Sequence, residues 1–190
     1  MPTRGGEIQP ANCPSSRTGF ISEAMKSPSA VDGSHLSFSR CQVASSSSTP
    51  LGDALIEIWQ ANAAGRYDHP DDRQEKPLDP AFHGFGRCPT NESGRFHFRT
   101  IRPGPVPGPG NTLQAPHINV AVFARGMLKQ LVTRIYFEGE ALNTDDPILG
   151  LVGVPERRQT LIAKRGNGKN AVYIFDIRLQ GPGETVFFDV

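Results

Sequence analysis

Short stretches that alternate between apolar and polar residues recur from Pro50 to the end of the chain, separated by turns rich in glycine and proline. They lie at 54–61, 94–101, 117–124, 129–137, 170–179 and 184–190. A period of two residues is typical of a strand that buries one face. Short strands joined by such turns are typical of a sandwich. The sequence therefore predicts an all-β fold, an antiparallel β-sandwich with one short helix and long loops.

The first quarter of the chain has a different character. Residues 1–48 are rich in serine, and only Leu36 to Arg40 alternate over the length of a short strand. This composition argues against a packed core and predicts an arm that is disordered or that orders against a partner. We therefore expect the β-sandwich domain to span 49–190. Its one helix is expected to begin at Pro155, because proline suits a first helical position.

Charge and cysteine content exclude several classes of protein. The formal net charge is +1, so neither nucleic acid nor an acidic membrane surface is indicated as a partner. The three cysteines, Cys13, Cys41 and Cys88, have no CxxC spacing, which argues against a disulfide framework or a structural zinc site. The sequence has no apolar run long enough to cross a bilayer and no signal-peptide pattern near its first residue. We expect a cytoplasmic protein.

His117 and Asn119 occupy one face of the predicted strand at 117–124, because they lie two residues apart. A pair of histidines at this spacing can hold one metal ion. Asparagine replaces the second histidine here, and a carboxamide is a poor ligand for a transition metal. The pattern alone leaves open whether the strand carries a degenerate metal site or never carried one.

Longer motifs show what the chain is similar to. In order they read LGDALIEIWQANAAGRYDHPDD, PLDPAFHGFGRCPTNESGRFHFRTIRPG, APHINVAVFARG, TRIYFEGE, QTLIAKR, YIFDIRLQG and ETVFFD. From about residue 49 onward the sequence resembles the intradiol ring-cleavage dioxygenases, and within them the α chains of the two-subunit enzymes that act on protocatechuate. Before residue 49 no match is found beyond a faint one at 17–20. Divergence and an upstream frame error both explain that loss.

The resemblance implies a degenerate iron site. Catalytic chains of the family bind ferric iron with two tyrosines and two histidines, and the matching positions here are Tyr67, Val106, His117 and Asn119. Valine offers no donor atom, so we expect no metal and no other cofactor in this chain. An arginine that precedes the histidine motif in catalytic chains is matched by Gln114.

The resemblance also implies a role as a subunit. In the two-subunit enzymes the β chain holds Fe(III), and the α chain supports it during O2-dependent cleavage of protocatechuate to 3-carboxy-cis,cis-muconate. The expected partners are therefore a β subunit, protocatechuate and O2. Arg134 matches an α-chain arginine that contributes to the pocket at the subunit interface. A guanidinium can pair in bidentate fashion with a substrate carboxylate.

Two other hypotheses stay open. The chain could be a self-sufficient dioxygenase of the catechol or hydroxyquinol type, against which Val106 and Asn119 count, since they supply no charged donor. It could also be a non-catalytic β-sandwich binding module that works without a β chain. For Tyr67 and His117 taken singly we favour structural roles, as an aromatic packed against the sheet and as a buried histidine with an ordinary hydrogen bond.

Overall fold

Strands make up most of the regular structure. The computed structural model describes residues 22–23, 35–45, 49–167 and 171–189. The strands are β1 (Ser22–Glu23), β2 (His35–Ala44), β3 (Leu55–Trp59), β4 (Phe85–Pro89), β5 (Arg95–Ile101), β6 (Val106–Pro107), β7 (Leu113–Gln114), β8 (His117–Phe123), β9 (Leu131–Phe137), β10 (Ile162–Arg165), β11 (Ala171–Ile174) and β12 (Ile177–Arg178). The α-helices are α1 (Pro147–Leu151) and α2 (Pro155–Arg158), and 3-10 turns lie at Pro109–Asn111, Ala141–Thr144 and Gln159–Leu161.

One continuous sheet supplies both layers of the fold. Its order is β1-β5-β2-β11-β10-β9-β8-β3-β4, with β12 beside β2, and β6 and β7 form a separate two-stranded ribbon. The main core draws on both halves of this sheet, including Phe38, Phe98, Ile56, Ile118 and Ile135. The two halves therefore pack face to face, and the predicted all-β sandwich is confirmed.

The consecutive strands β8 and β9 pair antiparallel, as do β10 and β11, but several pairings between distant segments are parallel. β9 pairs parallel with β10, and β2 pairs parallel with β11 and with β12. Parallel neighbours need a long crossover connection. Between β9 and β10 that crossover carries α1 and α2. Helix α2 begins at Pro155, as predicted, whereas α1 was not anticipated.

Strand β2 corrects the expectation for residues 1–48. Instead of a brief alternating stretch within an unpacked arm, residues 35–44 form a ten-residue strand inside the sheet. Leu36, Phe38, Cys41 and Val43 are all buried there. The register with β5 shifts between Phe38 and Cys41, so the buried positions change parity and the alternation is hidden in the sequence. The faint match at 17–20 lies outside the described residues.

The last predicted strand is also corrected. Within 184–189 the structure has only an isolated bridge, between Phe188 and Val132. The other five predicted stretches each contain a strand, and the residues predicted to face inward on β3, β5 and β8 are buried.

Candidate functional site

Antiparallel pairing of β3, β8 and β9 places three polar or aromatic side chains in one row. Asn119 lies opposite Trp59 on one side and opposite Arg134 on the other. Directly opposed residues point to the same face of a sheet. Their sequence neighbours Ile58 and Ile135 point into the core instead. The face left free by the core therefore carries Trp59, Asn119 and Arg134 side by side.

A tightly bonded loop after β3 carries Tyr67 to this face. The Oδ1 atom of Asn62 accepts hydrogen bonds from the backbone N–H groups of Ala64 and Arg66, each at 3.0 Å. Gly65 has φ +80°, and a Cβ at that position would collide with the carbonyl oxygen of Pro105. Only glycine fits such a left-handed turn so close to another backbone segment. The loop is therefore anchored both to itself and to the segment that precedes β6.

Beyond Tyr67 the same loop is closed by a carboxylate. Asp72 Oδ2 accepts the Tyr67 backbone N–H at 2.8 Å and the side-chain amide of Gln74 at 3.0 Å. Asp72 Oδ1 accepts the Gln74 backbone N–H at 3.1 Å. These bonds favour the charged form. The pKa of Asp72 lies below its usual value, because they outweigh the opposing effect of desolvation.

The β6–β7 ribbon supplies the opposite wall of the site. Val106 pairs with Gln114 across the ribbon. The Arg134 guanidinium donates a hydrogen bond to the amide oxygen of Gln114 at 2.7 Å, and the Gln114 amide nitrogen donates to the Pro107 carbonyl at 2.9 Å. Gln114 thus fixes the position of Arg134 with a neutral oxygen.

His117 is held in a single tautomer at the floor of the site. Its Nδ1 atom lies 2.8 Å from the Ala115 carbonyl oxygen. A carbonyl only accepts, so Nδ1 carries the proton and Nε2 keeps its lone pair. Burial, together with the nearby positive charge of Arg134, lowers the pKa of His117 to about 4. The imidazole is therefore neutral at neutral pH.

Asn119, Tyr67 and His117 form a chain of polar contacts. The Asn119 Nδ2 atom donates to the Tyr67 hydroxyl oxygen at 3.2 Å, and that oxygen lies 3.5 Å from His117 Nε2. Burial raises the pKa of the Tyr67 phenol, although the hydrogen bond from Asn119 and the charge of Arg134 oppose the rise. Tyr67 is therefore a protonated phenol at neutral pH, whose proton faces the lone pair of His117.

The six candidate site residues named from the resemblance line one cleft. It has a volume of about 870 Å³. Its lining includes Tyr67, Val106, Gln114, His117, Asn119 and Arg134.

The donor set in this cleft does not fit ferric iron. Tyr67 and His117 can supply an oxygen and a nitrogen, but Val106 offers no donor and the Asn119 amide donates toward Tyr67. Hard ferric iron is stabilised by anionic oxygen ligands, and the one phenol present keeps its proton. Within the described part of the chain, no three His, Cys, Asp or Glu side chains are grouped so that they could hold a metal ion.

Two residues that shape the site or its surroundings were not identified from the sequence. Trp59 lines the cleft, and its ring centre lies 4.7 Å from that of Tyr67. Trp59 follows the core residue Ile58 directly and so points to the other face of strand β3, and this was the sequence signal for its place outside the core. Asp146 caps α1 and binds the Ala115 N–H at 2.6 Å, and no local pattern links positions 31 residues apart.

Comparison with known proteins shows which family the chain is similar to. A family model described as Dioxygenase matches residues 22–181, so the similarity begins well before residue 49, where the motifs began to be visible. The chain is 47% identical over 141 residues to the protocatechuate 3,4-dioxygenase alpha chain of Pseudomonas putida, covering 72% of this chain and 67% of that one. It is 40% identical over 144 residues to the protocatechuate 3,4-dioxygenase beta chain of Burkholderia cepacia, covering 72% of this chain and 60% of that one.

A solved structure shares the fold. The dioxygenase domain of a dioxygenase carbohydrate-binding protein fusion from Streptomyces sp. SirexAA-E superimposes with a TM-score of 0.62 at 28% identity, over 89% of this chain and 94% of that domain. Among the described residues, no helix has the length and apolar character needed to cross a bilayer. The family match over most of the chain, the relatives and the shared fold lead to one conclusion: this chain belongs to the intradiol ring-cleavage dioxygenase family.

Proposed function

We propose that the chain is the α, non-iron subunit of a protocatechuate 3,4-dioxygenase. One observation carries the proposal: the cleft carries Val106 and Asn119 at two of the four positions where the family resemblance implies iron donors. A chain with this cleft needs a partner that holds Fe(III). Curated relatives include alpha and beta chains of such an enzyme as separate polypeptides. The identity is 47% to the alpha chain and 40% to the beta chain.

In this proposal the assembled enzyme uses O2 to cleave protocatechuate between its two hydroxylated carbons, giving 3-carboxy-cis,cis-muconate in the cytoplasm. Fe(III) is held by the β subunit. The present chain stabilises that subunit and completes its cavity. No step of the reaction is assigned to Tyr67 or His117, because their proton and lone pair are turned toward each other.

Arg134 is the residue that we assign to the substrate pocket at the subunit interface. Its strand position, opposite Asn119 and on the face away from the core, supports this role. Its known partners are uncharged, so the guanidinium keeps its full charge for a carboxylate. Protocatechuate carries one carboxylate, with which a guanidinium can form two parallel hydrogen bonds.

Co-expression with an iron-bearing β chain tests the assignment. We expect the two chains to co-elute from a size-exclusion column, and the complex to consume O2 and release 3-carboxy-cis,cis-muconate when protocatechuate is added. The β chain expressed alone is the control. Elution of this chain by itself, or equal activity of the β chain without it, would remove the subunit assignment.

The role of Arg134 is tested in the same complex. Arg134→Ala should lower protocatechuate turnover while leaving co-elution intact. Arg125→Ala is the matched control, since the Arg125 side chain is 87% exposed and, among the described residues, forms a salt bridge with the surface carboxylate of Asp53. Unchanged kinetics in the Arg134 variant would remove this residue from the site.

A further inference from the structure

The cleft contains a cation that no carboxylate neutralises. The described contacts of the Arg134 side chain are a hydrogen bond to the amide oxygen of Gln114 at 2.7 Å and one to the phenol of Tyr136. No salt bridge within the described residues involves Arg134. A guanidinium has five N–H donors in a planar fork. Arg134 is half-buried, and such a group is rarely left without an anionic partner.

The nearest acidic side chains are already committed. Asp146 lies beyond Tyr136, whose hydroxyl donates to it at 3.1 Å. Its two oxygens also accept three backbone N–H groups, those of Ala115, Ile148 and Leu149. It is therefore a structural acceptor and is not directed at the cleft.

The acidic residues of the cleft lining are also accounted for. Asp72 binds the backbone and side-chain amides of its own loop, as described above. Asp71 lies at the rim, where its side chain is 89% exposed, 3.7 Å from His69. Solvent screens a charge at the rim much more than a charge inside the cleft. Arg73 also lines the cleft, but it is exposed. Deep in the cleft, beside His117 and Asn119, Arg134 is therefore the dominant charge.

An aromatic wall stands beside this cation. Trp59 is 40% exposed, an unusual exposure for the largest side chain. Its indole ring packs against Tyr67 and meets the edge of His69, with ring centres 5.9 Å apart. Asn119 separates it from Arg134 by one strand on the same face. Adjacent strands lie about 4.8 Å apart, so the backbones of Trp59 and Arg134 are about 10 Å apart, and both side chains line the same cleft.

We propose that this cleft is itself a metal-free binding site for a monocyclic aromatic carboxylate, whose carboxylate pairs with Arg134 while its ring lies against Trp59. The site's volume, about 870 Å³, falls within the range typical of small-molecule pockets. Val106 supplies an apolar contact where a metal ligand would stand, and the Asn119 amide offers a hydrogen-bonding group between wall and cation. The proposal rests on the same Arg134 that the proposed function assigns to the substrate pocket and deepens that role, because it places the carboxylate in this chain's own cleft, where no iron takes part.

The chain carries a built-in reporter for the test, because Trp59 is its only tryptophan. The full chain, in buffer containing a metal chelator, is titrated with benzoate while Trp59 fluorescence is recorded, and calorimetry measures the same binding independently. We expect a saturable change in fluorescence and a matching heat signal. Benzamide, which has the same ring and no charge, should bind about tenfold more weakly or worse, because the charge-assisted hydrogen bonds are lost.

Variants and competitors identify the anchor and the class of ligand. Arg134→Ala should weaken benzoate binding at least about tenfold, Arg134→Lys should lose part of the affinity because it lacks the fork, and Arg125→Ala should match the wild type. Acetate and inorganic phosphate should compete poorly, since they have no ring to place against Trp59.

Several outcomes would overturn the proposal. They are equal binding of benzamide and benzoate, full retention of affinity in Arg134→Ala, and displacement of benzoate by phosphate at comparable concentration, which would indicate a general anion site. The comparison of benzoate with benzamide uses the wild-type chain and so decides the matter even if a variant fails to fold. A chain that binds no benzoate but assembles with a β chain would refute this inference and leave the subunit assignment standing.

Discussion

Replacing Asp146 by alanine should destabilise the fold far more than a typical substitution. Asp146 is 2% exposed. Its carboxylate accepts the N–H groups of Ile148 and Leu149 at 2.9 and 2.7 Å as the cap of α1, the Ala115 N–H at 2.6 Å, and the Tyr136 hydroxyl at 3.1 Å. It thus ties helix α1, the entry to strand β8 and the buried side chain of Tyr136 together.

The magnitude follows from these contacts. Loss of the helix cap costs about 1 kcal/mol. Leaving the buried N–H of Ala115 without an acceptor costs about 1–3 kcal/mol, and the Tyr136 hydroxyl loses about 1 kcal/mol more. We expect Asp146→Ala to lower the free energy of unfolding by about 3–5 kcal/mol. Asp146→Asn should cost roughly half as much, because an amide oxygen can still serve one of the two groups of donors.

Urea unfolding followed by Trp59 fluorescence measures both variants. Asp145→Ala is the matched control: Asp145 is the exposed sequence neighbour of Asp146, and its loss should change stability by less than about 0.5 kcal/mol. A cost below about 1 kcal/mol for Asp146→Ala would refute the reasoning. So would an unchanged hydrogen-exchange rate of the Ala115 amide in that variant.

Three further predictions concern other parts of the molecule. The pKa of His117 falls from 6.5 to about 4 on folding, so the contribution of the neutral imidazole to stability is complete above about pH 6.5 and is lost as the pH falls toward 4. Relative to His117→Gln, the free energy of unfolding of the wild type should drop by up to about 3 kcal/mol over that window. Parallel plots of unfolding free energy against pH for the two proteins would contradict this. Burial raises the pKa of the Cys41 thiol to about 12, so peptide-level mass spectrometry should find it alkylated at about pH 8 only after unfolding; rapid labelling of the native chain would contradict the placement of β2. The double variant Val106→Tyr, Asn119→His should acquire ferric iron with red-brown tyrosinate absorption, while either single change should stay colourless, and a colourless double variant would show that more than missing donors prevents binding.

The sequence predicted the strands whose alternation is regular and missed those whose alternation is broken. Ile118 and Val120 are recognisable as core residues because strand β8 keeps a strict period of two. Strand β2 contains a register shift after Phe38 and carries serine, arginine and glutamine among its few apolar residues. It pairs antiparallel with β5 and parallel with β11, the latter more than 130 residues away in the chain, and no local pattern encodes such contacts.

The candidate site was predictable in its members but not in its bonding. The motifs pointed to His117, Asn119 and Arg134, and strand spacing placed the first two on one face. That Gln114 fixes Arg134, or that Trp59 and Arg134 lie on either side of Asn119, depends on cross-strand register. Register is set by the packing of whole strands, so a single chain read locally does not determine it.

The most direct test of the account is the metal content of the full chain, alone and in complex with an iron-bearing β chain. We expect no iron in the isolated chain after loading with ferric salt and desalting, and one iron per αβ pair in the complex, because Val106 and Asn119 leave this chain without the anionic donors that Fe(III) requires. One tightly held iron in the isolated chain, or two per pair in the complex, would contradict it.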